Sequence, residues 1–334
     1  MADQSLNPVD GQRVVRRSIL RRFVGKREAT TLLAAVIIFI GFSVAGEGFL
    51  TVATIIAIIR LVSFWSIVGV GQTMLLIGRE LDISVGSLYG LLAVELGILV
   101  GLRGWDPWLS SFVVLLTGAA IGLFHGLIVT KMGIRSLIVT IASYVTFKGV
   151  AALLTGGYLI VVPFDSALFL SITGGKILGV PSVAAWMGLI VLVGAVVLAY
   201  TKFGYNIYAI GGNLQAAINA GIKTDRVKII SFMITSTLVA VVAIITVVLF
   251  GQANQRVGTM FELQVFAVCI MGGTSMFGGR GSIVGTLLGA VILGTIMKGL
   301  VYVGFGSYWD GIFIGAVILV ATTIDALTRR RAVK

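Results

Sequence analysis

Repeated apolar runs are the feature that most constrains what this chain can fold into. Ten mostly apolar stretches are separated by shorter polar segments, and their residues do not alternate with period two. A helix needs roughly 20 apolar residues to cross a bilayer, and a membrane β-barrel needs alternation instead. The sequence therefore predicts an all-α, polytopic membrane helical bundle. We place its spans at 29–45, 61–78, 83–102, 109–130, 137–154, 183–200, 229–251, 261–271, 283–303 and 309–327.

Composition supports this fold class. Hydrophobic residues form 58% of the chain and charged residues only 11%, which excludes an ordinary water-soluble protein of this length. The chain has 44 glycines and 4 prolines, as expected for helices that pack closely through small residues. One cysteine excludes an internal disulfide framework and a cysteine-rich metal site. We expect neither a metal nor a cofactor.

The basic residues predict an orientation. With the amino terminus in the cytoplasm, 19 of the 25 lysines and arginines fall on the cytoplasmic side, 4 fall outside and 2 lie within spans. Cytoplasmic loops carry such an excess in membrane proteins. An even number of spans then predicts that both termini are cytoplasmic. The net charge of +12 follows from this topology and from contact with lipid, so we expect no nucleic-acid partner.

The same assignment divides the chain into three parts. Residues 1–28 are predicted to form a basic cytoplasmic arm. Residues 29–328 would form a single transmembrane domain that includes a cytoplasmic loop at 201–228, and residues 329–334 a basic cytoplasmic tail.

The 201–228 loop is the longest internal polar segment, and it contains a short helix signal. Asn213 is a good N-cap, small residues follow at helical spacing, and Gly221 closes the turn. Small side chains would let another surface approach this helix closely. The loop is equally compatible with a cytoplasmic segment that binds nothing. The residues of interest are Gly211, Gly212, Asn213, Ala216, Ala217, Ala220 and Gly221.

A second polar region interrupts the second and third spans. Gln72 and Thr73 offer hydrogen-bonding groups inside a span, and a polar side chain there is a candidate for a solute pathway. Arg79, Glu80 and Asp82 follow in the turn. Asp82 is better explained as a cap for the next helix than as a pathway residue.

Three further polar residues lie within spans. Glu95 should face protein or water, with Lys148 or Lys298 as possible partners. His125 is the only histidine. A hydrogen bond between packed helices explains it better than a metal or proton site, because no second histidine or acidic cluster supports such a site.

Nothing in the sequence indicates an enzyme. It contains no Gly-x-x-x-x-Gly-Lys-Ser/Thr phosphate-binding loop, and no Ser/His/Asp set can be assembled. We therefore expect no catalytic residues. Any active transport must draw its energy from an ion gradient or from another subunit.

Several motifs together resemble one family. The stretches are GQTMLLIGRELDISVGS at 71–87, TKFGYNIYAIGGNLQAAINAGI at 201–222, IMGGTSMFGGRGSIVGTLLGA at 270–290 and SYW at 307–309, with Asp325 near the end. They resemble the membrane permease subunit of ABC importers for ribose, xylose and related sugars, including the autoinducer-2 type. The motifs cover both halves of the chain in the family's order.

This resemblance implies partners and site residues. Two permease subunits, identical or different, would form the pathway in the bacterial inner membrane. Cytoplasmic ATP-binding subunits would drive it, and a periplasmic sugar-binding protein would deliver the sugar. The family's coupling helix corresponds to 211–221, and its two glycine-rich signature turns include Gly78, Asp82, Gly86, Gly272, Gly273, Gly278, Gly279 and Gly285. Weak polar contacts suit a sugar pathway, so the candidates are Gln72, Thr73, Ser84, Ser87 and Thr140.

The chain also departs from the family pattern. Arg79 and Glu80 stand where the family has small or apolar residues, and His125 stands where asparagine is usual. Proline is usual near Arg135, and glycine is usual at Met260. These departures leave the identity of the sugar open.

Other functions remain possible on the sequence alone. A proton- or sodium-driven transporter would use Glu95 and Lys148 as relay groups. A channel or scaffold would need no ATPase partner. Within the ABC importers, permeases for nucleosides or branched-chain amino acids are the nearest alternatives.

Overall fold

A computed structural model of the chain describes residues 26–177 and 180–333, and they are mostly α-helical. The helices are α1 (Lys26–Ala45), α2 (Val52–Ile77), α3 (Val85–Leu96, continued by a π-helical turn at Gly97–Leu102), α4 (Pro107–Lys131), α5 (Ser136–Thr155), α6 (Ala167–Thr173), α7 (Ser182–Tyr200), α8 (Lys202–Gly212), α9 (Leu214–Asn219), α10 (Thr224–Phe250), α11 (Phe261–Met271), α12 (Ile283–Tyr302) and α13 (Asp310–Val333), with a 3-10 turn at Ser307–Trp309. Four two-residue strands, β1 (Ile160–Val161), β2 (Lys176–Ile177), β3 (Val180–Pro181) and β4 (Gln252–Ala253), form two antiparallel pairs, β1 with β4 and β2 with β3.

Eight helices in the described part of the chain are long and apolar enough to cross a membrane. They are α1 to α5, α7, α10 and α12, and they correspond to eight of the predicted spans. The other two predicted spans coincide with shorter apolar helices, Phe261–Met271 and Asp310–Val320. A helical, multi-pass membrane bundle is therefore confirmed, and eight of its described helices have the length and composition of membrane spans.

Local sequence explains where several helices begin and end. Asp106 accepts a hydrogen bond from the backbone N–H of Leu109, and Pro107 occupies the first turn of α4. Both residues favour a helix start. Gly156 and Gly251 follow α5 and α10 in the left-handed conformation that closes many helices.

The core lies where α2, α10 and α12 pack together. α10 also contacts α3 and α4, and α12 also contacts α1 and α11. Trp65, Leu88 and Phe232 are among the largest side chains that this packing buries completely. Contacts between these helices bury the apolar side chains of the core. In α5 and α7, by contrast, most residues are not buried by the rest of the chain.

An irregular segment, residues 252–260, runs alongside α3 before α11 begins. Glycines on α3 allow this close approach. A Cβ atom on Gly90 would lie 2.4 Å from the Gln255 carbonyl oxygen, and one on Gly86 would lie 2.7 Å from that of Gly258. The segment therefore follows a membrane-length helix for several turns, although it is not itself helical.

Two helices differ from the sequence prediction. α2 begins at Val52 instead of residue 61, because the polar Arg60 lies within the helix and does not end it. The predicted loop at 201–228 contains α8, which buries Ile207 and Ile210 on one face. An amphipathic helix of this length lacks the apolar run by which the membrane spans were recognised.

The predicted N-terminal arm at 1–28 lies mostly outside the described residues, as does the last residue of the predicted tail at 329–334. α13 continues to Val333 within that tail.

Candidate functional site

The short helix predicted in the 201–228 loop is present as α9. The Asn213 Oδ1 atom accepts a hydrogen bond from the backbone N–H of Ala216 at 3.0 Å, as expected of an N-cap. Gly221 has a φ of +78° and closes the helix end. Both local signals that the sequence offered are therefore confirmed.

The alanines of α9 do not share one face. Ala217 is buried and packs with Ile77 and Ile207, whereas Ala216 and Ala220 are exposed. The exposed surface also includes two larger apolar residues four positions apart, Leu214 at 37% and Ile218 at 47%. The outer surface of α9 is thus more apolar than a row of alanines.

α9 is attached to both predicted signature turns. We call this meeting point the junction, and it consists of 77–79 after α2, of 211–212 at the end of α8, and of 278–279 between α11 and α12. The backbone N–H of Gly279 donates to the carbonyl of Ile77 at 2.8 Å. A Cβ atom on Gly211 would lie 1.7 Å from the same oxygen, so only glycine fits there. Gly278 and Gly279 both have left-handed φ angles, 83° and 74°, which other residues adopt with strain.

Arg79 binds the end of α8 directly. Its Nε atom donates to the Gly211 carbonyl at 2.8 Å, and its Nη2 atom donates to the Gly212 carbonyl at 2.9 Å. These carbonyls lie at a helix C-terminus, where positive charge is favourable. Arg79 adopts a left-handed φ of 65°, which is uncommon for a residue other than glycine.

Glu80 binds the opposite end of the loop. Its Oε1 atom lies 2.6 Å from Nζ of Lys228, in the first turns of α10, and both side chains are largely buried. The pair Arg79 and Glu80 therefore holds the segment that carries α9 at its start and at its end.

Two further contacts complete the junction. The hydroxyl of Tyr208 on α8 donates to the Gly281 carbonyl at 2.7 Å. Burial and the nearby Glu28 carboxylate raise the pKa of Tyr208 to about 12, so this hydroxyl stays protonated at neutral pH. The Asp325 carboxylate on α13 accepts from Ser275 Oγ at 2.9 Å. A cavity of about 200 Å³ lies among Arg79, Gly211, Gly279, Arg280 and Asp325.

Asp82 stabilises the turn before α3 through Ser84, which is the N-cap residue and makes no side-chain capping hydrogen bond of its own. The Asp82 Oδ1 atom accepts from the backbone N–H and from the hydroxyl of Ser84, at 2.8 and 2.6 Å. α5 supports the same turn, because Ser136 Oγ accepts from the N–H of Leu81 and Thr140 Oγ1 accepts from the N–H of Ile83. Asp82, Ser84 and Thr140 thus stabilise the first signature turn.

His125 connects α4 to α5, as predicted. Its Nε2 atom lies 2.8 Å from Ser143 Oγ. Its Nδ1 atom lies 3.7 Å from the Asp82 carboxylate, and all three side chains are buried. No group of three histidine, cysteine or acidic residues that could hold a metal is present among the described residues.

The second signature turn brings two backbones together. A Cβ atom on Gly285 would lie 2.1 Å from the Gly272 carbonyl oxygen. The backbones of Gly272 and Gly285 can therefore approach each other closely, because neither residue has a side chain. Gly273 contributes a left-handed φ of 87°.

The predicted pathway residues are not gathered at one surface. Gln72 and Thr73 are buried inside the chain, where Thr73 Oγ1 lies 2.6 Å from Thr286 Oγ1. Oε1 of Gln72 has no hydrogen-bond partner among the described residues. Of the five candidates, Ser87 alone lines one of the polar cavities in the described chain.

Glu95 has a partner that the sequence analysis did not consider. Its Oε1 atom accepts from the Thr117 hydroxyl on α4 at 2.8 Å. Within the part of the chain that the structure describes, neither Lys148 nor Lys298 forms an ion pair with Glu95.

Sequence reasoning missed most junction contacts. Arg79 and Glu80 were noticed as polar residues of a turn and as departures from a family pattern, without an indication of their partners. No sequence pattern indicated the contacts of Lys228 and Tyr208, because their partners are 148 and 73 residues away in sequence.

Comparison with known proteins identifies the family of the chain. Residues 54–322 match the family described as the permease component of a branched-chain amino acid transport system. The ribose import permease protein of Escherichia coli is 34% identical over 300 residues, covering 89% of this chain and 93% of that protein.

Two autoinducer 2 import system permease proteins are also similar. The protein of Salmonella typhi is 30% identical over 312 residues, covering 93% of this chain and 89% of the relative. That of Yersinia enterocolitica is 32% identical over 305 residues, covering 91% and 83%. No solved structure matches. The matched region takes in nearly every helix described above, and the chain accordingly belongs to this family of multi-pass membrane transport permeases.

Proposed function

We propose that this chain is the transmembrane permease subunit of an ATP-driven ABC importer that carries a monosaccharide, of the ribose, xylose or autoinducer-2 type, into the cell. The observation that carries the proposal is the junction. It connects one short helix with an exposed apolar surface to both signature turns, and so to α2, α11 and α12. A force applied at α9 would reach the buried core through these contacts.

The relatives support the kind of solute. Although the family description names branched-chain amino acids, the similar proteins have names that specify ribose or autoinducer 2. The chain offers hydroxyl and amide side chains in its spans, which suit a neutral polar solute.

The assembly and topology follow from the same proposal. Two permease subunits enclose the path, cytoplasmic ATP-binding subunits contact 211–221, and a periplasmic sugar-binding protein docks on the opposite side. The chain makes ten crossings of the bacterial inner membrane, with α11 and the apolar first part of α13, Asp310–Val320, as the two short ones and both termini in the cytoplasm. The basic arm at 1–28, the membrane domain at 29–328 and the tail at 329–334 keep their predicted roles.

The mechanism is alternating access. ATP binding closes the ATPase subunits, α9 moves with them, and the junction passes this movement to α2 and α12. The pathway alternates between the two sides of the membrane as these helices shift. Gln72, Thr73, Ser84, Ser87 and Thr140 remain the candidates for contacts along it, and weak contacts favour release.

Reconstituted uptake tests the proposal. The permease, the ATPase subunits and the binding protein are assembled in proteoliposomes, and uptake of labelled ribose, xylose and autoinducer 2 is measured with and without ATP. Accumulation of at least one of these sugars should require ATP and persist with an uncoupler. Accumulation that an uncoupler abolishes and that needs no ATP would refute the proposal in favour of an ion-driven transporter.

Ile218→Glu should disconnect the permease from its ATPase subunits. Ile218 is exposed on α9, and loss of a contact at the centre of an interface costs about 2 kcal/mol or more. We expect at least about a tenfold loss of ATPase subunits retained on the purified permease, since 1.4 kcal/mol is tenfold in affinity. Retention is measured by quantitative copurification.

Met132→Glu is the matched control for this variant. Met132 is 68% exposed in the turn between α4 and α5, on the same predicted side of the membrane. It should retain the ATPase subunits fully. Equal retention by Ile218→Glu would contradict the role of α9.

Cysteine labelling tests the orientation. Cys269 is completely buried, so the native chain should not react with a membrane-impermeant thiol reagent. Tyr308→Cys, at a position that is 95% exposed, should react in intact cells. Tyr205→Cys, 73% exposed on α8, should react only after the cells are opened. Labelling of Tyr205→Cys in intact cells would reverse the proposed topology.

A further inference from the structure

A second polar cavity lies apart from the junction, between α3, α5 and the segment 252–260. It has a volume of about 200 Å³, far more than the roughly 10–15 Å³ that one water molecule needs. Its polar lining consists of Ser87, Tyr144, Lys148, Gln255, Arg256 and Thr259.

The position of Lys148 places this cavity deep within the span. Lys148 is the thirteenth residue of a 20-residue, membrane-length helix, and its side chain is exposed. Seven residues, or about 10 Å of helix, separate it from the last residue of α5. A charged group at such a depth is costly in lipid, so it faces protein or a water-filled path.

The irregular segment leads to the same conclusion independently. Residues 252–260 follow α3 down to Gly86, close to the opposite end of that helix. Backbone that is not helical is tolerated at membrane depth only where protein buries it or where it lines a water-filled cavity. Arg256 is exposed on this segment, so this chain does not bury that side chain. Transporters commonly place their solute sites at such interruptions.

The lining groups fit a hydroxyl-rich solute. Lys148 and Arg256 are donors only, whereas Gln255 and the hydroxyls of Ser87 and Thr259 both donate and accept. Sugar hydroxyls have the complementary capacity on every carbon. A lipid headgroup would also attract two cations, but headgroups lie at the membrane surface and not beside the middle of α5.

Glu262 lies behind this lining. A Cβ atom on Gly86 would lie 1.9 Å from Glu262 Oε2, and this buried oxygen has no hydrogen-bond partner within the described residues. The Tyr144 ring lies 6.0 Å from the Lys148 ammonium. Tyr144 therefore lies close enough to Lys148 to act as its positioning residue.

We propose that this cavity is a monosaccharide-binding subsite on the wall of the translocation path, in which Lys148 and Arg256 donate hydrogen bonds to sugar oxygens. The proposal rests on the proposed function and adds the residues that contact the solute inside the membrane. It also assigns a role to Ser87, which the sequence had offered as a pathway residue.

Uptake by the assembled transporter tests the subsite. Lys148→Met and Arg256→Gln remove the cationic donors and keep side chains of similar length. Each should lower ATP-driven sugar uptake in proteoliposomes at least about tenfold. ATP hydrolysis stimulated by the loaded binding protein should persist, because the junction is intact. Lys298→Met, in another membrane helix and outside the cavity, should leave uptake unchanged.

Unchanged uptake in both Lys148→Met and Arg256→Gln would overturn the subsite while the proposed function stands. A wild-type transporter that accumulates no sugar would instead refute the proposed function, and with it the sugar assignment.

Thiol labelling provides a readout that does not depend on transport. Thr259→Cys should react with a charged, water-soluble thiol reagent, and sugar supplied during turnover should slow the reaction. Leu192→Cys, 59% exposed in the middle of α7, should not react, because its surroundings are lipid. An unreactive Thr259→Cys, or a reaction that no sugar slows, would contradict the proposal.

Discussion

Gly211→Ala is expected to abolish most ATP-driven uptake while the permease still inserts and folds. A Cβ atom at this position would lie 1.7 Å from the Ile77 carbonyl oxygen and 2.5 Å from the Gly279 nitrogen. Both neighbours are backbone atoms, and they are already hydrogen-bonded to each other, so neither can rotate away. The end of α8 must therefore move away from both signature turns.

The size of the effect follows from the cost of overpacking. Forcing an extra carbon into a closely packed site costs about 1–3 kcal/mol. If the end of α8 moves away to relieve the clash, the two Arg79 hydrogen bonds to it also lengthen. We expect uptake to fall at least about tenfold, with ATP hydrolysis falling less, because movement is no longer passed on. Uptake and ATP hydrolysis are measured together on one proteoliposome preparation.

Gly212→Ala is the control, one residue further along the chain. Nothing lies within 4 Å of a Cβ atom at Gly212, and its φ angle is not left-handed. This variant should transport at the wild-type rate. If both variants transport equally well, the close approach at the junction has no part in coupling.

The sequence predicted much of the fold because membrane spans are local features. An apolar run of sufficient length is recognisable without knowledge of its neighbours, and the ends at Asp106 and Gly156 follow from nearby residues. α8 was not predicted as a helix because it is only 11 residues long and amphipathic. The path of the segment 252–260 beside α3 was not predicted because it depends on glycines more than 150 residues earlier.

The sequence indicated the local hydrogen bonds of the candidate site, but not the contacts between its distant segments. The cap of Asn213 is a contact within three residues, so the sequence indicated it, and Asp82 binds Ser84 only two residues away. The contact of Arg79 with Gly211 spans 132 residues, and no periodicity or spacing encodes it. Burial of Ala217 likewise depends on α2 and α8, which explains why the alanines were expected to share a face.

The ion pair of Glu80 and Lys228 has consequences for stability that a double-mutant cycle can measure. The atoms Oε1 and Nζ are 2.6 Å apart, and the side chains keep only 10% and 18% of their accessible surface. Removing one partner leaves the other charge largely buried, which costs about 3–5 kcal/mol for a fully buried pair and less where some water access remains. Glu80→Gln and Lys228→Met should each destabilise the permease by about 2 kcal/mol by the same principle.

Their combination separates the ion pair from other effects of the two substitutions. Because the double variant buries no unpaired charge, it should be more stable than the sum of the single variants predicts, with a coupling energy of about 1–2 kcal/mol. Equilibrium unfolding in mixed detergent micelles gives the four free energies. The exposed pair of Lys131 and Asp225 is the matched control, at 2.7 Å but with side chains 61% and 45% exposed.

Such an exposed pair should couple by no more than about 0.2–1 kcal/mol. Equal coupling in the two cycles would mean that burial adds nothing to the Glu80 interaction. A larger coupling for Glu80 and Lys228 would mean that this ion pair holds the end of the α9 segment firmly to the first signature turn, as the Arg79 hydrogen bonds hold its start. Rigid attachment at both ends is what a segment needs if movement applied at α9 is to reach α2 without being absorbed by the loop.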